Sequence, residues 1–252
     1  MPDAAYDTIG EGYAGARRPD ARVAAQINAG LGDAASVLNV GAGTGNYEPV
    51  GRTVAAIDPS ATMLAQRPAG AAPAVQGVAE SLPFVDDVFD AALSTFTLHH
   101  WDDLGAGLAE LARVSARQVI LLCEPIGDQP LWLLDYFPEA VQLETEQRAP
   151  TAAQVGHHLA VERVTPVLVP RDCTDGFTGA YWNRPHAYLD PAVRAGMSML
   201  SLLPSHVLER GIAELDDDLR SGAWDERYGE LRSMDTFDVG YRLVVASGSV
   251  SH

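Results

Sequence analysis

Apolar and polar positions follow two patterns along the first half of the chain. Val23, Ile27 and Leu31 recur every four residues after Asp20, which predicts a helix that Asp20 caps and Gly32 ends. The strand-like apolar runs are 36–40, 53–57, 74–78, 89–94 and 118–123, and a second helical stripe lies at 104–111. Strands and helices in this alternation predict a parallel sheet with right-handed crossovers.

The second half of the chain is less regular. The aromatic segment 132–137 predicts an amphipathic helix that ends at Pro138, and further patterns predict a strand near each end of this half. The predicted elements are helices at 151–159, 191–203 and 205–220 and strands at 163–169 and 239–247. Since no repeat or flexible linker separates the halves, we expect one domain over residues 1–252, with the irregular parts elaborating a single sheet.

Charge narrows the choice of partners. The 252 residues include 17 basic residues, all of them Arg, against 34 acidic ones, for a net charge of −17. Such a surface repels nucleic acid and anionic membranes and favours a small or neutral substrate. No apolar run reaches the roughly 18 residues of a membrane span, no signal peptide opens the chain, and two cysteines make no disulfide framework. We therefore expect a cytoplasmic protein with no nucleic-acid or membrane partner.

A glycine-rich turn follows the first strand-like run. Gly41, Gly43 and Gly45 form a G-x-G-x-G pattern between a buried strand and a helix start. Glycine lets the backbone pass close to a ligand, and the amides of such a turn can face a carboxylate or phosphate. A tight strand–helix connection is the alternative interpretation.

Asp58 ends the next strand-like run. An acidic side chain at this place can accept hydrogen bonds from ribose hydroxyls. The alternative is a helix N-cap, because Pro59-Ser60 follow. Asn46 stands where dinucleotide-binding loops have their third glycine, so the loop suits a nucleoside with an amino-acid tail better than a pyrophosphate.

In this order of motifs the sequence resembles the class I S-adenosylmethionine-dependent methyltransferases, in the type 11 branch that includes ubiquinone-biosynthesis enzymes. The matching pieces are Val40-Gly-Ala-Gly-Thr-Gly45, Ala56-Ile-Asp58-Pro-Ser, Ala79-Glu-Ser-Leu-Pro-Phe84, Phe89-Asp90 and Leu98-His-His-Trp101. The resemblance covers roughly residues 6–124. It implies a Rossmann-like α/β fold with a seven-stranded, mostly parallel sheet, helices on both faces and an antiparallel last strand.

The resemblance also divides the chain by role. Residues 1–35 would form N-terminal lid helices, and residues 36–124 would form the cofactor-binding core. Segments 125–162 and 171–238 would be elaborations on the substrate side.

The implied cofactor is S-adenosyl-L-methionine. Gly41, Ala42 and Gly43 would approach its methionine portion, and Asp58 would take its ribose. The remaining implied cofactor residues are Met63 beside the adenine, Ala79 and Glu80 at the adenine edge, Thr95 in the crevice, and Tyr13 and Arg17 closing over the cofactor, with Arg17 pairing with its carboxylate. Val78 is a departure, since the family often has Asp there.

Methyl transfer requires little of the protein beyond positioning the acceptor. Methyl transfer requires the acceptor in line with the S–CH₃ bond, and a base only where the acceptor must lose a proton. His100 is the first candidate for that base and His99 the second, the alternative being a structural role for both. Trp132, Tyr136 and Trp182 offer aromatic walls for the acceptor, although core packing would explain them equally.

The predicted reaction is therefore metal-independent methyl transfer to an O, N or C atom of a small, apolar or aromatic molecule. Asp172, Asp175 and His186 are metal-ligand types, but their spacing matches no metal loop and favours turn capping. The helix carrying Met197 and Met199 belongs to the core or to a homodimer face. The alternatives are a non-catalytic S-adenosylmethionine-binding partner or sensor and an NAD(P)-dependent oxidoreductase.

Overall fold

A seven-stranded sheet crosses the computed structural model, which describes residues 17–249. The strands are β1 (Ser36–Val40), β2 (Thr53–Asp58), β3 (Ala74–Gln76), β4 (Phe89–Thr95), β5 (Ser115–Cys123), β6 (Leu159–Pro166), β7 (Val169–Pro170), β8 (Thr236–Phe237) and β9 (Tyr241–Ser249). Strands β7 and β8 form a separate antiparallel pair. Tyr13, with the rest of residues 1–16 of the predicted lid, lies outside the described residues.

The order of the large sheet is β3-β2-β1-β4-β5-β9-β6. Strands β1 to β5 run parallel, and β9 runs antiparallel to both β5 and β6. The predicted sheet with an antiparallel last strand is thus confirmed. The parallel register pairs Val40 with Ile57, which brings the residues after β1 beside the end of β2.

Helices cover both faces of the sheet. They are α1 (Ala21–Leu31), α2 (Ala61–Ala65), α3 (Leu104–Val114), α4 (Glu144–Gln147), α5 (Ala152–Val155), α6 (Pro191–Arg194), α7 (Ser198–Leu202), α8 (Ser205–Ser221) and α9 (Ala223–Tyr228). The predicted cap of α1 is confirmed, because the Asp20 side chain accepts from the Arg22 N–H and Gly32 follows the helix at φ +59°. None of the described helices has the length and apolar character to cross a membrane.

Alternating residues of the strands belong to two separate hydrophobic layers, one on each face of the sheet. Val37, Leu93 and Val119 pack with α1 and with most of segment 126–243, whereas Leu38 and Ile120 pack with α3 on the opposite face. Successive side chains of a strand point to opposite faces, so a strand covered on both sides is apolar throughout. This explains the continuous apolar runs that predicted β1, β4 and β5.

The predicted helix at 132–137 is wrong. A 3₁₀ turn spans Trp132–Asp135, and Pro138 begins a second one, Pro138–Gln142. Proline is well placed at the first position of such a turn, where its missing N–H costs nothing. The predicted helix at 191–203 is divided into α6 and α7, and the structure buries Met197 and Met199 in the core of the same chain.

Candidate functional site

A cavity of about 700 Å³ opens at the carboxyl ends of β1, β2 and β4. This is where ligands bind in open α/β sheets. Most of the predicted site residues line it: Arg17, Gly41, Ala42, Gly43, Asp58, Met63, Ala79, Glu80, Thr95, His99 and His100.

The glycine-rich turn forms the floor of the cavity. Gly41 and Gly43 adopt φ of +70° and +50°, a region that side-chain-bearing residues rarely enter. The N–H groups of Gly41 and Ala42 donate to the Ile57 carbonyl, at 2.9 and 3.1 Å, which holds the turn against the end of β2. A Cβ on Gly41 would collide with the Thr97 side chain, so the close approach admits only glycine.

Asp58 holds the turn from the side. Its Oδ2 accepts from the Gly43 N–H at 2.7 Å, and its Oδ1 accepts from the Ser60 N–H at 2.9 Å. The N-cap of α2 is Ser60, whose hydroxyl accepts from the Met63 N–H, so the alternative role of Asp58 as the helix cap itself is wrong.

The wall beside β3 carries Val78, Ala79 and Glu80. Val78 is well exposed, and the Glu80 carboxylate accepts from the N–H groups of Asp102 and Asp103 at 2.8 and 3.3 Å. Glu80 therefore ties this wall to the segment that follows the histidines.

His99 and His100 lie in a 3₁₀ turn, Leu98–His100, just beyond β4. Their ring centroids are 4.0 Å apart. Burial, with a smaller contribution from the Arg148 cation, lowers the pKa of His100 to about 4. Burial also places the pKa of His99 well below its usual value, so both rings are neutral at pH 7.

Arg17 covers the cavity through a buried ion pair that the sequence did not predict. Its Nε donates to Asp175 Oδ1 at 2.6 Å and its Nη2 to Asp175 Oδ2 at 3.1 Å. The hydroxyl of Tyr47 also donates to Asp175 Oδ2, at 2.8 Å. The guanidinium lies 6.0 and 5.8 Å from the ring centres of Phe96 and Phe177. Asp175 does cap its own turn, through the Gly176 N–H, but its main role is this ion pair.

Two wall residues hold unfavourable backbone conformations. Tyr47 and Phe96 have φ of +63° and +52°. A bulky residue at positive φ costs of order 1–3 kcal/mol and persists where its surroundings fix it. Such strain clusters at functional sites, which supports the cavity as the site of function.

Comparison with known proteins agrees with this geometry. A family model described as "Methyltransferase domain" matches residues 38–123. A solved structure from Anabaena variabilis, described as a methyltransferase from an antibiotic biosynthesis pathway, is 30% identical and superposes with a TM-score of 0.82 over 92% of this chain and 99% of that chain. The chain belongs to the class I S-adenosylmethionine-dependent methyltransferases.

Curated relatives match this methyltransferase over shorter stretches. The demethylmenaquinone methyltransferase of Mycolicibacterium paratuberculosis is 40% identical over 98 residues, which are 37% of this chain and 43% of that protein. The uncharacterized protein YafE of Escherichia coli is 54% identical over 39 residues, 16% of this chain and 19% of that protein. The chain thus spans less than half the length of these relatives.

The methyltransferase cavity fits the family's cofactor by the chemistry of its lining. Glycines at positive φ, the carboxylate of Asp58 and the apolar side chain of Met63 line this one cavity together. The volume falls within the roughly 300–1,000 Å³ of small-molecule sites. The family assignment leaves the NAD(P)-dependent oxidoreductase alternative without support.

The predicted aromatic wall is corrected by the structure. Trp132, Tyr136 and Trp182 are all buried in the core and do not line the described cavity. Their polar atoms are satisfied there: Trp132 Nε1 donates to the Trp182 carbonyl at 2.7 Å, and the Tyr136 hydroxyl donates to Asp218 at 2.8 Å. Core packing, the alternative left open, is their observed role.

Segment 125–162 supplies a different wall. Glu144, Thr145 and Arg148 line the cavity, and Arg148 donates to the Trp101 carbonyl. Nothing in the spacing of these polar residues predicted this placement. Within residues 17–249 no group of three or more His, Cys, Asp or Glu is placed to hold a metal ion, and Asp172 pairs with Arg22 at 2.7 Å instead.

Proposed function

We propose that this protein transfers a methyl group from S-adenosylmethionine to an O, N or C atom of a small, apolar or aromatic molecule, without a metal ion. The observation that carries the proposal is the convergence of the glycine turn, Asp58 and Met63 on one cavity at the carboxyl ends of the strands. Family membership supports the reaction, and the relative that acts on demethylmenaquinone supports an aromatic acceptor.

The cofactor supplies an electrophilic methyl group on a positively charged sulfur. The protein's part is to bind, orient and exclude water. Asp58 offers acceptor atoms for hydroxyls, and the Gly41–Gly43 backbone lets a chain of atoms lie against it. Phe96 and the Arg17–Asp175 pair cover the cavity, which keeps water from the transferring group.

The histidines suit a positioning role better than general-base catalysis. A base works best when its pKa lies near the operating pH, and the pKa of His100, about 4, lies far below 7. A neutral imidazole nevertheless donates through one nitrogen and accepts through the other, so it can orient a hydroxyl or amine. We therefore propose that His100 and His99 align the acceptor.

The direct test is transfer of an isotopically labelled methyl group to a panel of phenols, hydroquinones and amines. The matched pair of variants is Gly41→Ala and Gly51→Ala. Both glycines have positive φ, +70° and +81°, but a Cβ would collide with Thr97 only at Gly41 and would meet open space at Gly51. We expect labelled product from the native protein and from Gly51→Ala, and a loss of at least about tenfold for Gly41→Ala.

A non-catalytic binding protein is the second candidate. It is favoured by Val78, which lacks the carboxylate that often receives the adenine amino group, and by the weakly basic histidines. Binding of S-adenosylhomocysteine without label transfer to any acceptor of the panel would replace the enzymatic proposal by this one.

A further inference from the structure

A second buried ion pair lies beneath the glycine turn. Arg67 Nη2 donates to Glu48 Oε1 at 2.6 Å, and the two side chains are only 6% and 13% exposed. Neither residue lines the cavity. The cost of removing two charges from water offsets their mutual attraction, so a buried ion pair is weak evidence for a gain in stability. We therefore looked to the other contacts of Arg67 and Glu48 for the role of this pair.

Arg67 also grips the turn itself. Its Nη1 donates to the Gly43 carbonyl at 3.3 Å, while the Gly43 N–H donates to Asp58 on the other side at 2.7 Å. Both peptide planes that meet at the Gly43 Cα are thereby held. Glycine has the freest backbone of all residues, so these two bonds select the conformation at φ +50°.

The bond from Arg67 also sets the direction of the next amide. The described chain contains no cis peptide, and in a trans peptide the N–H points opposite to the carbonyl. With the Gly43 carbonyl directed at Arg67, the Thr44 N–H is directed away from the ion pair. Thr44 lines the cavity, so the orientation of this peptide affects the surface that a ligand would contact.

The ion pair is itself hydrogen-bonded to β1 and to the segment that precedes β3. Glu48 Oε1 accepts from Asn39 Nδ2 at 3.2 Å, and Asn39 is fully buried in β1. Arg67 Nη2 donates to the Ala72 carbonyl at 3.1 Å. A Cβ on Gly45 would lie 3.3 Å from both Arg67 Nη1 and Glu48 Oε2, so the pair fills the space under the third glycine.

We propose that Glu48 and Arg67 are positioning residues that fix the Gly43–Thr44 peptide for cofactor binding. Arg67 also lies two residues after the end of α2, the helix that carries Met63. This inference rests on the proposed function, because its ligand is S-adenosylmethionine or its product.

The test compares three variants by calorimetric titration with S-adenosylhomocysteine. Arg67→Gln removes the cation. Arg67→Lys keeps the charge opposite Glu48 but lacks the planar fork that serves Glu48 and the Gly43 carbonyl together. Arg52→Gln is the matched control, since Arg52 also donates to two backbone carbonyls, of Gly32 and Ala34, away from the cavity.

We expect affinity at least tenfold weaker for Arg67→Gln, weakened by a smaller factor for Arg67→Lys, and unchanged for Arg52→Gln. In turnover, KM for the cofactor should rise in the Arg67 variants while kcat changes less than threefold. Thermal midpoints are measured in parallel to show that each variant is folded.

Two results would overturn the inference. One is native affinity, within twofold, in a folded Arg67 variant whose melting temperature alone has fallen, which would make the pair structural only. The other applies if Arg67→Gln does not fold: in that case, native affinity in a folded Arg67→Lys variant would overturn the inference. Failure of the unaltered protein to bind S-adenosylhomocysteine is a different outcome, which defeats the proposed function together with this inference.

Discussion

Arg17 and Asp175 are 158 positions apart, yet they form a two-bond ion pair, with 2.6 Å between Nε and Oδ1, in which Asp175 is fully buried and Arg17 nearly so. The pair joins the start of the described chain to the turn before Phe177. Tyr47, in the segment after the glycine turn, donates to the same carboxylate. Three distant segments thus meet at one carboxyl group over the cavity.

Replacing Asp175 by Asn should destabilise the protein strongly. The substitution removes the carboxylate charge that faces the buried Arg17 cation, and breaking a buried pair in this way costs about 3–5 kcal/mol. Denaturant unfolding measures the loss. The matched control is Asp172→Asn, whose carboxylate pairs with Arg22 in solvent and should matter by less than about 1 kcal/mol. Equal losses for the two variants would contradict the role given to Asp175.

Asp58→Ala should weaken S-adenosylhomocysteine binding by about tenfold or more, equivalent to about 1.4 kcal/mol. The variant loses an acceptor for hydroxyls and releases the Gly43 N–H. Asp90→Ala is the control, because Asp90 likewise accepts from two backbone N–H groups, of Ala35 and Ser36, but does not line the cavity. Calorimetry showing the same affinity for both variants would remove Asp58 from the site.

The His100 side chain should titrate at a lower pH than an ordinary histidine. Burial and the Arg148 cation hold its pKa at about 4, against 6.5 for an ordinary histidine. The unfolded state therefore binds more protons between pH 6.5 and pH 4, so this residue's contribution to stability is complete above pH 6.5 and declines as the pH falls to 4. An NMR titration, assigned with His100→Gln, measures the midpoint directly. A midpoint near 6.5 would restore His100 as a general base.

Glu146 should make stability depend on pH in the opposite direction to His100. Burial raises the pKa of its carboxyl group to about 7, from 4.5. A raised pKa means that stability is complete below pH 4.5 and is lost as the pH rises through 7, where the folded state must hold a buried charge. Glu146→Gln should therefore stabilise the protein at pH 8 by on the order of 2 kcal/mol, and not at pH 4.5.

The control for Glu146 is its neighbour Glu144, whose side chain is 82% exposed. Glu144→Gln should leave stability unchanged at both pH values, as judged by denaturant unfolding. A Glu146→Gln variant no more stable than the native protein at pH 8 would show that the carboxylate is ionised without penalty.

The meeting of the glycine turn and Asp58 at one cavity could be predicted because its signals are local. The glycine turn follows β1 directly and Asp58 ends β2, and the parallel pairing of Val40 with Ile57 brings them together. Alternation of apolar runs likewise predicted the sheet, since strands buried on both faces carry continuous apolar sequence.

The rest could not be read from the sequence because it depends on distant contacts. Nothing in the sequence near Asp175 indicates that its partner is Arg17. The sequence around Trp132 would also be the same whether that side chain lined a pocket or packed against Trp182. The apolar spacing of segment 132–137 predicted a helix, but the segment forms 3₁₀ turns. Tertiary packing and Pro138 override the helix propensity there.

A crystal structure of the protein with S-adenosylhomocysteine would show whether the glycine turn and Asp58 bind the cofactor. We expect ribose hydroxyls within about 3.2 Å of the Asp58 carboxylate, with the amino-acid tail over Gly41 and Gly43. Ligand bound elsewhere on the surface, or a cavity filled by side chains under saturating ligand, would contradict it.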